Sequence, residues 1–255
     1  MNDALAGRLW DAWRSGTALE ATPSALAPGL DLDAAYAVQR AIAGRRTADG
    51  ERGIGWKIGL TGAVEPRPPG GPIYGRLLSG MVAAELEPID AGRMHGPEIE
   101  AEIAFVMGRR LDGPGVTIAD VLAATRGVMP ALEIIASRWR GEGATHDFVA
   151  DNAASAHVVL GGRLVSVEDV DLRLTGMALW HGDGRLLATG AGARVLGHPA
   201  QAVAWLANAL GAHGEPLEAG DVVLSGSLAA ALPVRSGDTF AAELAGLGTV
   251  SARFA

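Results

Sequence analysis

The 255-residue chain has no cysteine. That excludes a disulfide framework, thiolate catalysis and a cysteine-ligated zinc site, and it agrees with a reducing compartment. Positive charge is also in short supply. Twenty-one Lys and Arg stand against 29 Asp and Glu, a formal net charge of −8. This balance argues against nucleic acid and anionic membranes as main partners. It leaves room for a small anion held at a local positive site. No apolar run approaches the roughly 20 residues of a membrane span. The stretch from Met1 to Glu20 lacks the apolar centre of a signal peptide. The expectation is a soluble cytoplasmic protein. Aromatic residues are sparse, at 5%. Gly113-Pro114-Gly115 does not follow a phosphate-loop pattern. Ser225-Gly226-Ser227 reads as a strand end with no triad order to support a nucleophile. Nucleotide chemistry and serine hydrolysis are therefore not indicated.

What the chain has in quantity is glycine, 36 residues with 13 Pro, and a 49% hydrophobic content. Turns are many and the core can be large. Leu5, Leu9, Trp10 and Trp13 recur at helical spacing up to Gly16. These tryptophans could form an interface or pack on their own chain. Thr22 to Gly29 reads as a connection. Asp33 to Ala43 reads as a second helix, stopped by Gly44. Strands are expected at Gly53–Leu60, Ile73–Leu78, Met129–Ile135 and His157–Leu160, with a Pro/Gly-rich loop from Glu65 to Gly71. Thr117 with Asp120 predicts a capped helix start. Leu172 to Trp180 and Arg185 to Thr189, around Gly182-Asp183-Gly184, predict a hairpin. Pro199 to Leu210 reads as an amphipathic helix. Late strands are expected at Asp221–Ser225, Leu232–Val234 and Thr249–Phe254. The pattern is α+β: a helical segment over residues 1–50, then one mixed-sheet unit over 51–255.

The chemistry concentrates in Pro97-Glu98-Ile99-Glu100-Ala101-Glu102-Ile103, which leads into a continuous apolar run. Residues two apart on a strand share a face, with Cα atoms about 6.6–6.8 Å apart. Glu100 and Glu102 can therefore converge. Like charges beside a buried strand are costly unless a cation joins them. A divalent ion is the simplest candidate, and oxygen-only ligands favour Mg²⁺, Mn²⁺ or Ca²⁺ over zinc. A solvated strand face is the bland alternative. Glu133, inside Leu132-Glu133-Ile134, is either a third ligand or the partner of Arg138 or Arg140. Lys57, between Trp56 and Ile58, either snorkels from a sheet face or is held near acids. Asp151-Asn152 is either a turn or an orienter of nearby groups. The 6 His show no metal-binding spacing.

In order along the chain, several stretches resemble the 2-keto-4-pentenoate hydratase family of the fumarylacetoacetate-hydrolase-like superfamily. They are Gly55-Trp56-Lys57-Ile58-Gly59-Leu60-Thr61, Pro72-Ile73-Tyr74-Gly75-Arg76-Leu77, Glu100-Ala101-Glu102-Ile103-Ala104-Phe105-Val106, Pro130-Ala131-Leu132-Glu133-Ile134, Asp151-Asn152-Ala153, Ala204-Trp205-Leu206-Ala207-Asn208 and Gly220-Asp221-Val222-Val223-Leu224-Ser225-Gly226. The resemblance implies a mixed β-roll or sandwich with an N-terminal helical segment. It implies Mg²⁺ or Mn²⁺ on Glu100, Glu102 and Glu133, with Lys57 near the substrate. Two positions depart from the pattern: Ile73 and Ala136 stand where similar sequences often have Asp.

By resemblance, the reaction is addition of water to a 2-hydroxy-2,4-dienoate in aromatic-compound catabolism. Glu142 or His146, in the loop after Glu133, would position the water. The same electron sink would serve decarboxylation of a 2-oxo-enedioate or hydrolysis of an acylpyruvate. A diacid would need a basic residue at its far end, and Arg76, Arg138 and Arg140 are the candidates. A non-catalytic partner subunit is a third reading. The expected partners are a small 2-oxoacid or dienol acid, and further copies in a homo-oligomer or a complex with a related decarboxylase or aldolase.

Overall fold

The computed structural model describes residues 2–62 and 71–255. The Pro/Gly-rich loop expected from Glu65 lies outside them, apart from Gly71. Three helices come first: α1 (Asn2–Ser15), α2 (Pro23–Leu26) and α3 (Leu32–Ala48). The expected stop at Gly44 is overruled. Helix α3 continues to Ala48, because Arg45 pairs with Asp3 at 2.6 Å and Arg46 with Glu51 at 2.8 Å. These contacts outweigh the ~1 kcal/mol cost of an interior glycine. The turn out of the helix falls at Gly50, whose φ is +98°. The connection from Thr22 contains α2, with the Thr22 side chain accepting from Ala25 N. Trp10 and Trp13 pack within the chain, since the Arg46 guanidinium lies over both rings, 5.6 and 4.6 Å from their centroids.

The strands are β1 (Gly53–Gly59), β2 (Ile73–Leu78), β3 (Val82–Ala83), β4 (Pro88–Ile89), β5 (His95–Met107), β6 (Thr125–Ser137), β7 (Ser155–Leu160), β8 (Gly176–His181), β9 (Leu186–Ala191), β10 (Val222–Ser227), β11 (Leu232–Pro233), β12 (Thr239–Leu244) and β13 (Gly248–Phe254). Helices α4 (Ile118–Ala124), α5 (Thr145–Ala150) and α6 (Pro199–Gly211) are interspersed. The capping box at Thr117 and Asp120 forms as expected, and so does the β8–β9 hairpin. Strand β6 is longer than its apolar run suggested, because it pairs along nearly all of β5.

Two sheets result. The larger has eight strands in the order β2-β1-β10-β5-β6-β7-β3, with β11 added to β5; the smaller runs β4-β13-β12-β8-β9. The main core lies between them. On β5, Ile99, Ala101, Ile103, Phe105 and Met107 enter it, and they meet Phe240, Val250 and Phe254 of the smaller sheet. Alternation sends Glu100 and Glu102 to the opposite face. A second apolar cluster joins Leu5, Leu9, Val38 and Ile42 of the N-terminal helices to Trp139, Val149 and Ala153. The helical segment thus covers the acid-bearing face through α5 and the turn that follows it.

Candidate active site

Four side chains on three strands of the larger sheet share that face. Lys57 comes from β1, Glu100 and Glu102 from β5, and Glu133 from β6. Glu100 and Glu133 stand directly opposite each other in register, and Lys57 aligns with Leu224 on the intervening β10. Each acid of the trio has a carboxylate oxygen within 4.8 Å of one from each of the others. Glu102 and Glu133 are 1% and 0% exposed, and Lys57 is 3% exposed. Lys57 Nζ lies 3.2 Å from Glu133 Oε2 and donates to Ala153 O at 3.1 Å. Glu133 therefore pairs with Lys57. Arg138 is committed to Asp151 at 2.6 Å, and Arg140 reaches Glu20 at 3.4 Å.

Three carboxylates against one ammonium leave an uncompensated negative charge. Burial drives the Glu100 carboxyl up to about 7; Lys57 opposes this, while Glu133 and Glu98 add to it. Burial likewise holds Glu102 well above the usual carboxylate range, reinforced by Glu133 and Glu100. Burial alone would lower the Lys57 pKa, but attraction from Glu133, Glu100 and Glu102 outweighs it, and the net shift is upward. Lys57 is therefore a permanent cation near neutral pH. The Glu133 Oε2 atom is buried without a well-directed hydrogen bond, while its Oε1 accepts from Ser155 Oγ at 2.7 Å. Three converging carboxylates matched by a single ammonium fit a hard divalent cation.

The surrounding backbone is specialised. Asn152, Ala153 and Ala154 all have positive φ, from 51° to 59°. Such left-handed residues cost roughly 1–2 kcal/mol each without glycine. The turn is held by Asn152, whose side chain accepts from Arg76 N at 2.8 Å and donates to Arg76 O at 2.9 Å. It is also held by Asp151, which accepts from Arg138 N at 2.8 Å. The turn presents Ala153 O to Lys57. Opposite it, Gly226 donates its N–H to Glu102 Oε2 at 2.7 Å. Gly226 has φ +113°, and a Cβ there would meet Thr61 Oγ1 at 2.0 Å.

A cavity of about 300 Å³ opens over this group, lined by Lys57, Glu100, Ile73, Phe148, Arg194 and Ser227 among others. Of the two departures, Ile73 is in this wall, whereas Ala136 lines a different hollow. Glu142 is exposed, and neither it nor His146 lines the cavity. Asp147 explains this placement. Its carboxylate accepts from Ala144 N at 2.8 Å and Ser24 N at 2.6 Å, tying the loop to α2. The region contributes Phe148 to the wall instead. Arg76 pairs with Glu215 at 2.6 Å and lies over Trp56, so none of the three expected arginines faces the cavity. Sequence reasoning missed Arg194 and Ser227. Arg194 carried a weak signal as the lone charge in a Gly/Ala run, and Ser227 carried none. Among the described residues, the Ser227 Oγ is buried and has no hydrogen-bond partner.

A lysine and three clustered carboxylates on a mixed sheet form a donor set of the kind that holds a divalent metal ion. Residues 65–255 match the C-terminal domain model of fumarylacetoacetate hydrolase. The chain is 42% identical to the TodF product hydratase of Pseudomonas putida, over 97% of this chain and 92% of that one. It is 41% identical to a 2-keto-4-pentenoate hydratase of Burkholderia vietnamiensis, covering 98% and 96%. It superposes on a solved 4-oxalocrotonate decarboxylase from Pseudomonas putida G7, complexed with magnesium and adipate, with TM-score 0.93, 37% identity and coverage of 100% and 97%. The chain belongs to the fumarylacetoacetate hydrolase family. Among the described residues, no helix is long and apolar enough to cross a membrane.

Proposed function

We propose that this chain is a Mg²⁺-dependent hydro-lyase that adds water to a 2-hydroxy-2,4-dienoate and yields a 4-hydroxy-2-oxoacid. The observation that carries this reading is the converging trio of half-buried Glu100 and buried Glu102 and Glu133 beside a protonated Lys57. The three acids would hold the ion. When bound, it supplies a Lewis-acid centre for the substrate's C1 carboxylate and C2 oxygen. The residues do the rest. Lys57 stays charged, so it serves as the electrostatic and hydrogen-bonding partner of the oxygen where enolate charge develops, rather than as a base. Its contact with Ala153 O fixes the direction of the ammonium. The Ser227 hydroxyl offers a donor at the wall. Ile73, Ile135 and Phe148 keep the diene dry. Protonation at C5 ketonises the dienol to a 2-oxo-3-enoate. Water then adds at C4 and a proton at C3, for a net gain of one water. This reading also includes a homo-oligomer.

The test is loss of 2-hydroxypenta-2,4-dienoate absorbance with Mg²⁺ against an EDTA control, with the product identified by mass. A metal-dependent gain of one water is expected. Turnover that persists in EDTA, or a product lighter by CO₂, overturns the reading.

A further inference from the structure

A carboxylate must be aimed before it can serve as a ligand, and for Glu133 one side chain stands where it can do this. The Ser155 hydroxyl donates to Glu133 Oε1 at 2.7 Å, and Glu133 Oε2 then faces Lys57 Nζ at 3.2 Å. Ser155 is 1% exposed, so solvent does not compete for its hydroxyl. An ionised carboxylate accepts and cannot donate, which makes the hydroxyl the donor. Glu102 is held in the same way, with the Gly226 N–H on its Oε2. In both acids a protein donor holds one oxygen and leaves the other to the cluster.

Ser155 reaches this place through a slip in the sheet. Strands β6 and β7 pair in step at Glu133–Val158 and Ile134–His157. The register then shifts by one, so that Ile135 faces Ser155 and not Ala156. Cross-strand partners share a face, and Ile135 lines the active-site cavity. The slip therefore brings a hydroxyl onto the acid-bearing face where regular pairing would bring a methyl group. The backbone of Ser155 is tied on both sides. Its N–H donates to Asn152 O, and Arg138 Nη1 donates to its carbonyl at 3.0 Å. Arg138 is in turn fixed by Asp151 at 2.6 Å. This buried ion pair, which the hydration chemistry does not use, thus anchors both the turn that directs Lys57 and the residue that directs Glu133.

Resting on the metal-dependent reading above, we propose that Ser155 is a positioning residue for the metal site: its hydroxyl sets the plane of the Glu133 carboxylate and thereby the affinity for the divalent ion. The terminal torsion of a glutamate side chain is broad when nothing holds it, and the hydroxyl fixes it before the ion arrives. Ser155 does not line the cavity, so its effect passes through Glu133.

The experiment uses the wild type, Ser155→Ala, Ser155→Thr and Leu9→Ala. It measures Mg²⁺ binding by calorimetry, melting temperature in EDTA, and turnover as a function of Mg²⁺ concentration. Ser155→Ala should weaken Mg²⁺ binding roughly 10- to 100-fold, and saturating Mg²⁺ should restore most of kcat. Ser155→Thr keeps the hydroxyl and should recover most of the affinity, whatever its extra methyl does to the melting temperature. Leu9→Ala loosens the N-terminal cluster without touching Glu133 and should bind Mg²⁺ as the wild type does, which separates lost orientation from a weakened fold. Wild-type affinity in Ser155→Ala overturns the proposal. So does an equal loss in Leu9→Ala, or a threonine variant no better than alanine. If the wild type hydrates no dienol while Ser155→Ala still loses Mg²⁺ affinity, the hydratase reading fails and the proposal stands. If the wild type binds no Mg²⁺, both fail.

Discussion

Lys57 shows how counting charges decides a side chain's state. Burial would neutralise a lone lysine, but three acids reverse the sign. Lys57→Met should leave the acid trio without its cation and cost ~3–5 kcal/mol of stability in EDTA. Thermal unfolding should show Mg²⁺ recovering part of this, while turnover stays at least ~100-fold down. Glu133→Gln should weaken Mg²⁺ binding by more than ~100-fold in calorimetry, beyond the effect of losing a group behind the ligands. Wild-type affinity in that variant would remove Glu133 from the ligand set. A pH dependence follows from Glu100, whose ordinary value of 4.5 rises to about 7. Across that window the folded apo protein keeps a proton that the unfolded chain has released. Its stability should therefore fall as pH rises, with Glu102 acting in the same direction. Saturating Mg²⁺ requires the deprotonated acids and should flatten or reverse the slope. Melting temperatures from pH 4.5 to 7.5, in EDTA and in Mg²⁺, check this.

At the scale of elements, strand alternation places the chemistry and irregular backbone aims it. Strand β10 bulges between Leu224 and Ser227, and the bulge turns the Gly226 N–H onto Glu102. Gly226→Ala should be strongly destabilising, because a Cβ there meets Thr61 and the φ is left-handed. A variant that melts within a degree of wild type would show that the strand relaxes freely. The turn at Asn152–Ala154 plays the corresponding role for Lys57. Asn152→Ala removes two hydrogen bonds to the Arg76 backbone and should cost ~1–3 kcal/mol. It should also lower kcat, because Ala153 O no longer holds the ammonium. Denaturant unfolding and steady-state kinetics read the two effects separately.

Across the whole molecule, the active face of the larger sheet is roofed by residues from the chain's first fifth. Leu5, Leu9 and Val38 share a cluster with Val149 and Ala153, so the N-terminal helices support the turn that orients Lys57. Leu9→Ala should cost ~2–5 kcal/mol by opening a cavity in that cluster. Its melting temperature should drop, with KM moving less than stability.

The strands, the capped helix and the paired acids of β5 were legible because each depends on short-range periodicity. Glu100, Glu102, Glu133 and Lys57 were found by one rule: a charge inside an apolar strand must be matched. What escaped was whatever depends on distant partners. The length of α3 beyond Gly44 needed Asp3 and Glu51. The outward placement of Glu142 and His146 needed Asp147 on Ser24. Arg194 became visible only when its turn was pinned to Thr61, 135 residues earlier in the chain. By itself the sequence determined which residues must be buried with charge and which face they share, because alternation is a local property of the backbone. Only the tertiary structure decided which cation pairs with which acid and which side chains line the cavity, because those choices depend on contacts between segments far apart in the chain.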